Sequence, residues 1–191
     1  MLALGFQAIV SAGDLTGIAN TAHDDEFWGL LVCADLDAVV YRLAGAFNEE
    51  AGYGLKDDTF RTLEALERLG ESSWFRIGDK DLATHLIRTD SLRQGRRLTE
   101  TALDLCRRFA LDATVLPMAA EKVRTRFSTD DGECSFQEYF VRERLGPALR
   151  HIEFAGIASA RPTSAVLAAL TEAARVVAVL ATRVAPRDPV P

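Results

Sequence analysis

The sequence has only three cysteines, and they form no CxxC pair. An odd and scattered set of this kind excludes a disulfide framework and indicates a reducing compartment. No stretch approaches the ~18 uninterrupted apolar residues of a membrane-spanning helix. The apolar start over residues 1–10 has neither a basic flank nor a small-residue cleavage site, so no signal peptide is predicted. These absences predict a soluble, cytoplasmic protein that has no membrane partner.

Positive charge is also in short supply. The chain has 22 lysines and arginines against 28 acidic residues, which gives a net charge of −6 at neutral pH. This balance disfavours binding of nucleic acid through basic charge alone. Apolar residues make up 48% of the chain and charged residues 26%, which excludes wholesale disorder. The length of 191 residues is enough for one domain of ordinary size.

The chain does contain an alternation of helix-like and strand-like segments, which predicts an α/β fold. Apolar residues at three- and four-residue spacing predict helices over residues 33–43, 60–69, 81–92, 99–110 and 164–174. Two-residue alternation and short apolar runs predict strands over residues 15–21, 113–116, 123–127, 134–141, 152–157 and 175–181. Residues 1–181 are interpreted as one domain. Residues 182–191 hold three of the six prolines and are predicted to be a disordered tail.

Turn and cap signals fix some of these boundaries. Asp131 and Gly132 predict a hairpin turn. Asp57 or Asp58 is predicted to cap the second helix, and Thr99 the fourth. The apolar stripe of the second helix consists of Phe60, Leu63, Leu66 and Leu69.

Acidic residues cluster at two points where a ligand could bind. Residues 20–25 follow the first strand, and in open α/β sheets ligands bind at the carboxyl ends of strands. Carboxylates there can hold Mg²⁺, although such turns more often only cap the next element. Asp35 and Asp37 lie two residues apart at a helix start. The helix dipole accounts for one of them, and the other is as well explained by a cation as by capping.

Two further segments combine chemically useful side chains. In residues 76–89, Thr84 and Arg88 share a helix face while His85 points away, and the arginine is a reasonable phosphate partner. A lone helix histidine, however, is more often structural than catalytic. The aromatic run in residues 136–141 could stack on a flat ring or simply pack in the core. Cys33 lies near the acidic cluster without a base partner.

At these same residues the sequence resembles the 2-phospho-L-lactate transferase family of coenzyme F-420 biosynthesis. The resemblance runs from about residue 15 to residue 179. The weaker matching pieces are Asn20-Thr21, Val32-Cys33, Asp35-Leu36-Asp37, Gly54, Asp58-Thr59 and Leu116-Pro117. The specific pieces are Gly78-Asp79 followed by residues 81–89, and Phe136-Gln137-Glu138.

The resemblance implies a Rossmann-like parallel sheet core with a smaller, mostly helical part and a β-hairpin. It also implies a transferase that moves a 2-phospholactyl or phosphoenolpyruvyl group from a guanosine diphosphate carrier to a ribityl hydroxyl of the deazaflavin FO. GMP would leave, Mg²⁺ would be required, and a homodimer is expected. In such an attack of an alcohol on phosphorus, positioning and charge neutralisation supply most of the rate.

Carried over residue by residue, the resemblance implies roles for nine positions. Asp24 would serve the attacking hydroxyl and, together with Asp25, the metal. The residues implied to bind the substrates or line their cleft are Asp37, Arg76, Thr84, His85, Arg88, Phe136 and Gln137.

Departures from the family pattern favour an alternative. His23 stands where the family has the first acid of an Asp-Asp pair, and imidazole is a poor ligand for Mg²⁺. Residues 1–13 lack the family's Gly-Gly-x-Gly turn, through which backbone N–H groups approach a diphosphate. The sequence also diverges after residue 180, so it looks like the middle of a family member. The alternative is a catalytically impaired remnant that acts as a binding or interaction protein.

Overall fold

The computed structural model describes residues 2–173, which form a mixed α/β structure. The helices are α1 (Leu2–Gln7), α2 (Ala34–Leu43), α3 (Arg61–Arg68), α4 (Asp79–Arg93), α5 (Leu98–Arg108) and α6 (Ser164–Glu172). The strands are β1 (Thr16–Ala19), β2 (Asp25–Phe27), β3 (Leu30–Val32), β4 (Thr114–Pro117), β5 (Arg124–Thr129), β6 (Gly132–Ser135) and β7 (Leu149–Ala155).

The parallel pair β1–β4 lies at the centre of the larger part. Its register places Ala19 opposite Pro117, so both strands end at the same edge. Helices α2 and α5 pack against this pair. The main apolar core lies between them and includes the fully buried Leu36, Val40 and Val115. The apolar spacing that predicted α2 is therefore the spacing of residues that fill the core. In α5 the structure buries Ala102, Leu105 and Cys106, whereas Ala110, predicted to face inward, is exposed.

A three-stranded antiparallel sheet, in the order β6-β5-β7, forms the smaller part. Thr129 pairs with Gly132 across the predicted hairpin turn. The prediction of a strand over residues 134–141 is wrong beyond Ser135. The backbone N–H of Ser135 donates to Glu138 at 2.7 Å, and that of Glu138 donates to the Ser135 hydroxyl at 3.3 Å. This reciprocal capping box ends β6 and starts a helical turn over Glu138–Arg142.

The predicted cap of α3 is also wrong, because the caps of α3 and α4 are exchanged. The Asp79 carboxylate accepts from the backbone N–H groups of Arg61 and Thr62, both at 3.0 Å. Asp58, predicted with Asp57 as the cap of α3, instead accepts two backbone N–H bonds from the first turn of α4. Asp79, the first residue of α4, thus caps α3, and Asp58, which precedes α3, caps α4. The two helix starts are therefore held together.

Two other details of the helices differ from expectation. Of the predicted apolar stripe on α3, Leu63 is buried but Leu69 is 81% exposed, so this helix packs through a narrow contact only. Thr99 does not cap α5. The helix is capped two residues earlier, where the backbone N–H of Arg97 donates to the Glu100 carboxylate at 2.7 Å. The glutamate at the third helical position was the better signal.

The antiparallel hairpin β2–β3 was missed altogether. Its turn residues Trp28 and Gly29 have φ values of 50° and 74°, as a two-residue primed turn requires. Such a turn normally carries Asn or Asp before Gly, so a tryptophan there hides it from sequence reasoning. Among the described residues, no helix is long and apolar enough to cross a membrane. The strand predicted over residues 175–181 and the tail over residues 182–191 lie outside the described residues.

Candidate active site

The common edge at which β1 and β4 end opens into a cleft of about 580 Å³. Thr21 and Asp24 follow β1 and form part of its lining, and Ala120 follows β4. The β2–β3 hairpin, the end of α4 and the α4–α5 link supply the other walls. Its charged lining residues are Asp24, Glu26, Arg93, Arg96, Arg97, Glu121, Lys122 and Arg124. This is the edge of a parallel sheet at which α/β proteins bind their ligands.

Asp24 lies where this cleft meets the protein interior. Its side chain is 3% exposed, and one carboxylate oxygen accepts a hydrogen bond from the Cys33 thiol at 3.3 Å. The other oxygen, Oδ1, has no hydrogen-bond partner among the described residues. Burial raises the pKa of Asp24 to about 7, against the opposing effects of the Cys33 thiol and the Arg124 charge. The prediction that Cys33 has no base partner is therefore wrong, because the Asp24 carboxylate accepts a hydrogen bond from its thiol.

His23, the residue before Asp24, is turned into a separate contact. Its Nδ1 lies 2.8 Å from the Asp35 carboxylate, and its ring stacks on Phe136 with 3.5 Å between centroids. The Gln137 side chain donates to the His23 carbonyl at 3.1 Å. Burial raises the pKa of Asp35, but hydrogen bonds from His23 and Asn20 outweigh it and leave that pKa lowered. Phe136 and Gln137 thus hold the turn that carries Asp24.

Behind the cleft, α2 and α4 meet through a buried charged network. Arg88 forms an ion pair with Asp37, and both side chains are at least 95% buried. His85 lies 3.7 Å from Asp37 through Nδ1 and 3.4 Å from Asp81 through Nε2. The prediction that His85 points away from Arg88 is wrong, since Arg88 Nη1 is 3.3 Å from its Nδ1. Thr84 and His85 are successive residues and both are buried, because α4 is covered on more than one face.

The network has an uneven electrostatic balance. Burial raises the pKa of Asp37, although Arg88 and His85 oppose the rise. Burial also acts to raise the pKa of Asp81, but hydrogen bonds from His85 and from the Tyr41 hydroxyl, the latter at 2.7 Å, leave it lowered. The paired charges join α2 to α4, and removal of one partner would leave the other charge buried without compensation.

The other predicted site residues lie apart from the cleft lining. Thr84 is buried in α4 near the network. Arg76 is exposed, and its guanidinium lies 4.3 Å from the centre of the Phe60 ring. Asp25 is half-buried at the start of β2, where one of its oxygens accepts from the Glu26 N–H at 2.9 Å. The structure thus brings Asp24, Cys33 and the Asp37–Arg88 pair to one region, and it places Arg76 elsewhere.

Sequence reasoning missed the basic residues of the cleft. Arg93, Arg96 and Arg97 follow one another within five positions at the end of α4, and Lys122 and Arg124 lie opposite them. A run of arginines in an acidic chain, placed directly after a helix, was the available signal. Acidic residues alone do not predict these basic walls of the cleft.

Two groups of side chains in or near the cleft could hold the predicted Mg²⁺. The unpartnered Oδ1 of Asp24 suits a cation that takes one or two carboxylates and completes its shell with water and substrate phosphates. A second set of possible metal ligands, formed by Asp37, Asp81 and His85, has ligand atoms within 4.8 Å of one another. Arg88 already neutralises it from inside, so an added cation there would meet a buried positive charge. Of the two places, Asp24 is therefore the one that suits Mg²⁺.

The sequence matches known proteins over most of its length. The family described as "2-phospho-L-lactate transferase CofD" matches residues 1–181. A phosphoenolpyruvate transferase of Streptomyces avermitilis is 39% identical over 174 residues, covering 88% of this chain and 54% of that protein. A 2-phospho-L-lactate transferase of Methanococcoides burtonii is 37% identical over 166 residues, covering 87% and 54%. The chain spans about half the length of these curated relatives.

One solved structure is also similar. A UPF0052-family protein from Bacillus halodurans aligns with a TM-score of 0.48 at 12% identity, covering 83% of this chain and 48% of that one. The assignment rests on the sequence matches, which extend over nearly all the described residues. The chain belongs to the 2-phospho-L-lactate transferase family.

Proposed function

We propose that the chain carries the acceptor side of a transfer in which a phosphorylated three-carbon acid moves from a guanosine diphosphate carrier to a hydroxyl of the deazaflavin FO, with release of GMP. One observation carries the proposal. Asp24 is a buried carboxylate with an oxygen free of partners, and it lies at the ligand-binding edge of the parallel strands. A carboxylate in that state can accept a proton from an alcohol that attacks phosphorus.

The surroundings of Asp24 support this role. The Cys33 thiol bonds one oxygen, and the other, buried in the lining of the cleft, has no hydrogen-bond partner among the described residues. A pKa of about 7 places the carboxyl near the pH at which a general base works best. The buried Asp37–Arg88 pair holds α2 against α4 behind it. Asp37 and Arg88 act in this proposal as positioning residues, because neither reaches the open cleft.

Mg²⁺ would be held by Asp24, with water and substrate phosphate as its other ligands, and it would neutralise charge on the transferred phosphate. Asp25, the second ligand that the resemblance implies, lies outside the cleft lining. The protein's own part is to orient the hydroxyl and to exclude water at Asp24. The three cysteines are free and buried, which supports a reducing, cytoplasmic location. A homodimer and the identity of the transferred acid, 2-phospholactate or phosphoenolpyruvate, belong to the same proposal.

The test is release of GMP from a guanylylated three-carbon acid in the presence of FO and Mg²⁺. Asp24→Asn should lower the rate by about 10²–10⁴-fold, the usual loss of a general base. Asp90→Asn, an exposed acid on α4 that bonds Gln94, serves as the control and should keep the wild-type rate. An unchanged rate in Asp24→Asn would exclude Asp24 as the base. If the wild-type chain gives no turnover, the alternative of an impaired remnant replaces the proposal.

A further inference from the structure

We propose that Arg93, Arg97 and Arg124, here named the arginine rim, form a subsite that binds the phosphate group of the donor. The inference deepens the proposed function and rests on it in taking the cleft as the substrate site. None of the sequence motifs points to these three residues. What they share is position, since all three line the cleft that contains Asp24.

The basic side chains of the cleft are of two kinds, those that pair with a carboxylate and those that do not. Lys122 is held by Glu26 at 2.7 Å, and Arg96 lies 3.8 Å from Asp104. The arginine rim differs, because within residues 2–173 none of its members pairs with a carboxylate. Its members are therefore the cations of this cleft with charge available for a ligand.

What the rim does contact is backbone. Arg93 donates to the Gly29 carbonyl at 3.1 Å, and Arg124 donates to the carbonyls of Val123 at 2.7 Å and Thr21 at 3.4 Å. These bonds aim the two guanidinium groups without neutralising them. In the described part of the chain, the Arg97 guanidinium has no hydrogen-bond partner at all. Guanidinium groups present paired N–H donors, which match the oxygens of a phosphate.

The local charge stands against that of the whole chain. The cleft is lined by five basic and three acidic side chains, whereas the chain carries a net charge of −6. A basic concavity in an acidic protein concentrates the field on an anion and raises its local concentration. A neutral or positively charged ligand would not need such a lining.

A second and independent observation lies at the floor of the cleft. Thr21 is 2% exposed, and its hydroxyl has no hydrogen-bond partner among the described residues. Asp24 Oδ1, nearby in the same lining, is buried and unpartnered too. Buried polar atoms are nearly always satisfied, so two together at the floor of one cleft indicate that a ligand completes them. The Thr21 hydroxyl can donate to a phosphate oxygen, and the Asp24 carboxylate can accept from an alcohol.

These positions divide the cleft by charge. An anionic phosphate is attracted by the arginine rim, and the hydroxyl that attacks it lies between the phosphate and the Asp24 carboxylate. The bound group is a phosphate ester or a diphosphate. It can come from the nucleotide half of the donor or from the phosphorylated acid, and the chemistry of recognition is the same in both cases.

Calorimetric titration of the full chain with two probes tests the subsite and separates these sources. Inorganic pyrophosphate represents the nucleotide half, and phosphoenolpyruvate represents the acid. Arg97→Ala should weaken binding of at least one probe about tenfold or more, which corresponds to about 1.4 kcal/mol. Arg93→Ala should weaken it similarly, and Arg97→Lys should be intermediate because it keeps the charge but loses the paired donors. The probe most affected identifies the source.

The matched control is Arg68→Ala, an exposed arginine on α3 whose nearest acid, Glu64, is 3.9 Å away. It should leave both dissociation constants unchanged. Asp24→Asn should keep or strengthen probe binding while it abolishes GMP release, so the subsite and the proposed function can fail separately. Absence of binding by the wild-type chain overturns the subsite. So does binding that Arg97→Ala, whose side chain makes no hydrogen bond in residues 2–173, leaves unchanged.

Discussion

The Cys33 thiol donates a hydrogen bond to the Asp24 carboxylate over 3.3 Å, with both side chains buried. Asp24 follows β1, and Cys33 lies at the start of α2, so the bond joins the turn that lines the cleft to the helix behind it. It leaves one oxygen of Asp24 fixed and the other free. A buried carboxylate kept in this state is costly for stability and useful for proton transfer.

Removing the Asp24 charge should stabilise the protein. The pKa of Asp24 is about 7 in the folded chain against 3.8 ordinarily, so the folded state holds the proton more tightly. The stability is therefore expected to fall as pH rises from about 4 to about 7 and to stay low above that. Asp24→Asn should abolish this fall and raise the free energy of unfolding at pH 8 by on the order of 1–4 kcal/mol. Denaturant unfolding in chelator-treated buffer measures it, and equal pH profiles would contradict the prediction.

Loss of the Cys33 thiol donor should raise the proton affinity of Asp24. In Cys33→Ala the hydrogen bond that lowers the pKa of Asp24 is gone, so that pKa should rise above about 7. Cys33→Ser keeps a donor and should restore a value near that of the wild type. Carboxyl-carbon NMR titration of the metal-free protein gives each pKa directly. A pKa that is the same in all three proteins would show that the bond has no influence.

Breaking the Asp37–Arg88 pair should be severe. Asp37→Asn leaves the Arg88 guanidinium buried without its counter-charge, which costs about 3–5 kcal/mol of unfolding free energy. The double variant Asp37→Leu with Arg88→Met removes both charges and should recover most of that loss. Glu64→Gln, at an exposed pair on α3, is the control and should change stability by less than about 0.5 kcal/mol. A double variant less stable than Asp37→Asn would refute the electrostatic explanation.

Gly78 is required by its closeness to Asp58. A Cβ at Gly78 would collide with the Asp58 carboxylate, the group that caps α4. Gly78→Ala should therefore destabilise the protein by displacing that cap, by about 1 kcal/mol or more. In an Asp58→Ala background the cap is already absent, so the same substitution should cost much less. Thermal unfolding of the four proteins measures this coupling, and additive effects would argue against the clash.

The sequence was sufficient for the elements that bury a regular apolar face. The spacing of Leu36 and Val40 predicted α2, and the short apolar run before Pro117 predicted β4, because such patterns depend on the core alone. Contacts between distant residues decided the rest. The Ser135–Glu138 box ended a strand that its aromatics favoured, and the exchange of Asp58 with Asp79 depends on how α3 meets α4.

The candidate site shows the same division. Motif resemblance led to Asp24 and Asp37, but only the structure separates the unpartnered oxygen of Asp24 from the buried ion pair of Asp37. Arg97 belongs to a run of arginines that is visible in the sequence, but only the fold shows that this run lines the cleft. Side chains whose role depends on what the chain places opposite them are not visible in a linear pattern.

The central claim is that the phosphate of the donor and the hydroxyl of the acceptor meet between the arginine rim and Asp24. A crystal structure of the chain soaked with GDP and FO tests it most directly. The account predicts phosphate density within hydrogen-bond distance of Arg97, with a ribityl hydroxyl against Asp24 Oδ1. Phosphate bound elsewhere on the chain, for example beside the exposed Arg76, with Asp24 facing only solvent, would contradict it.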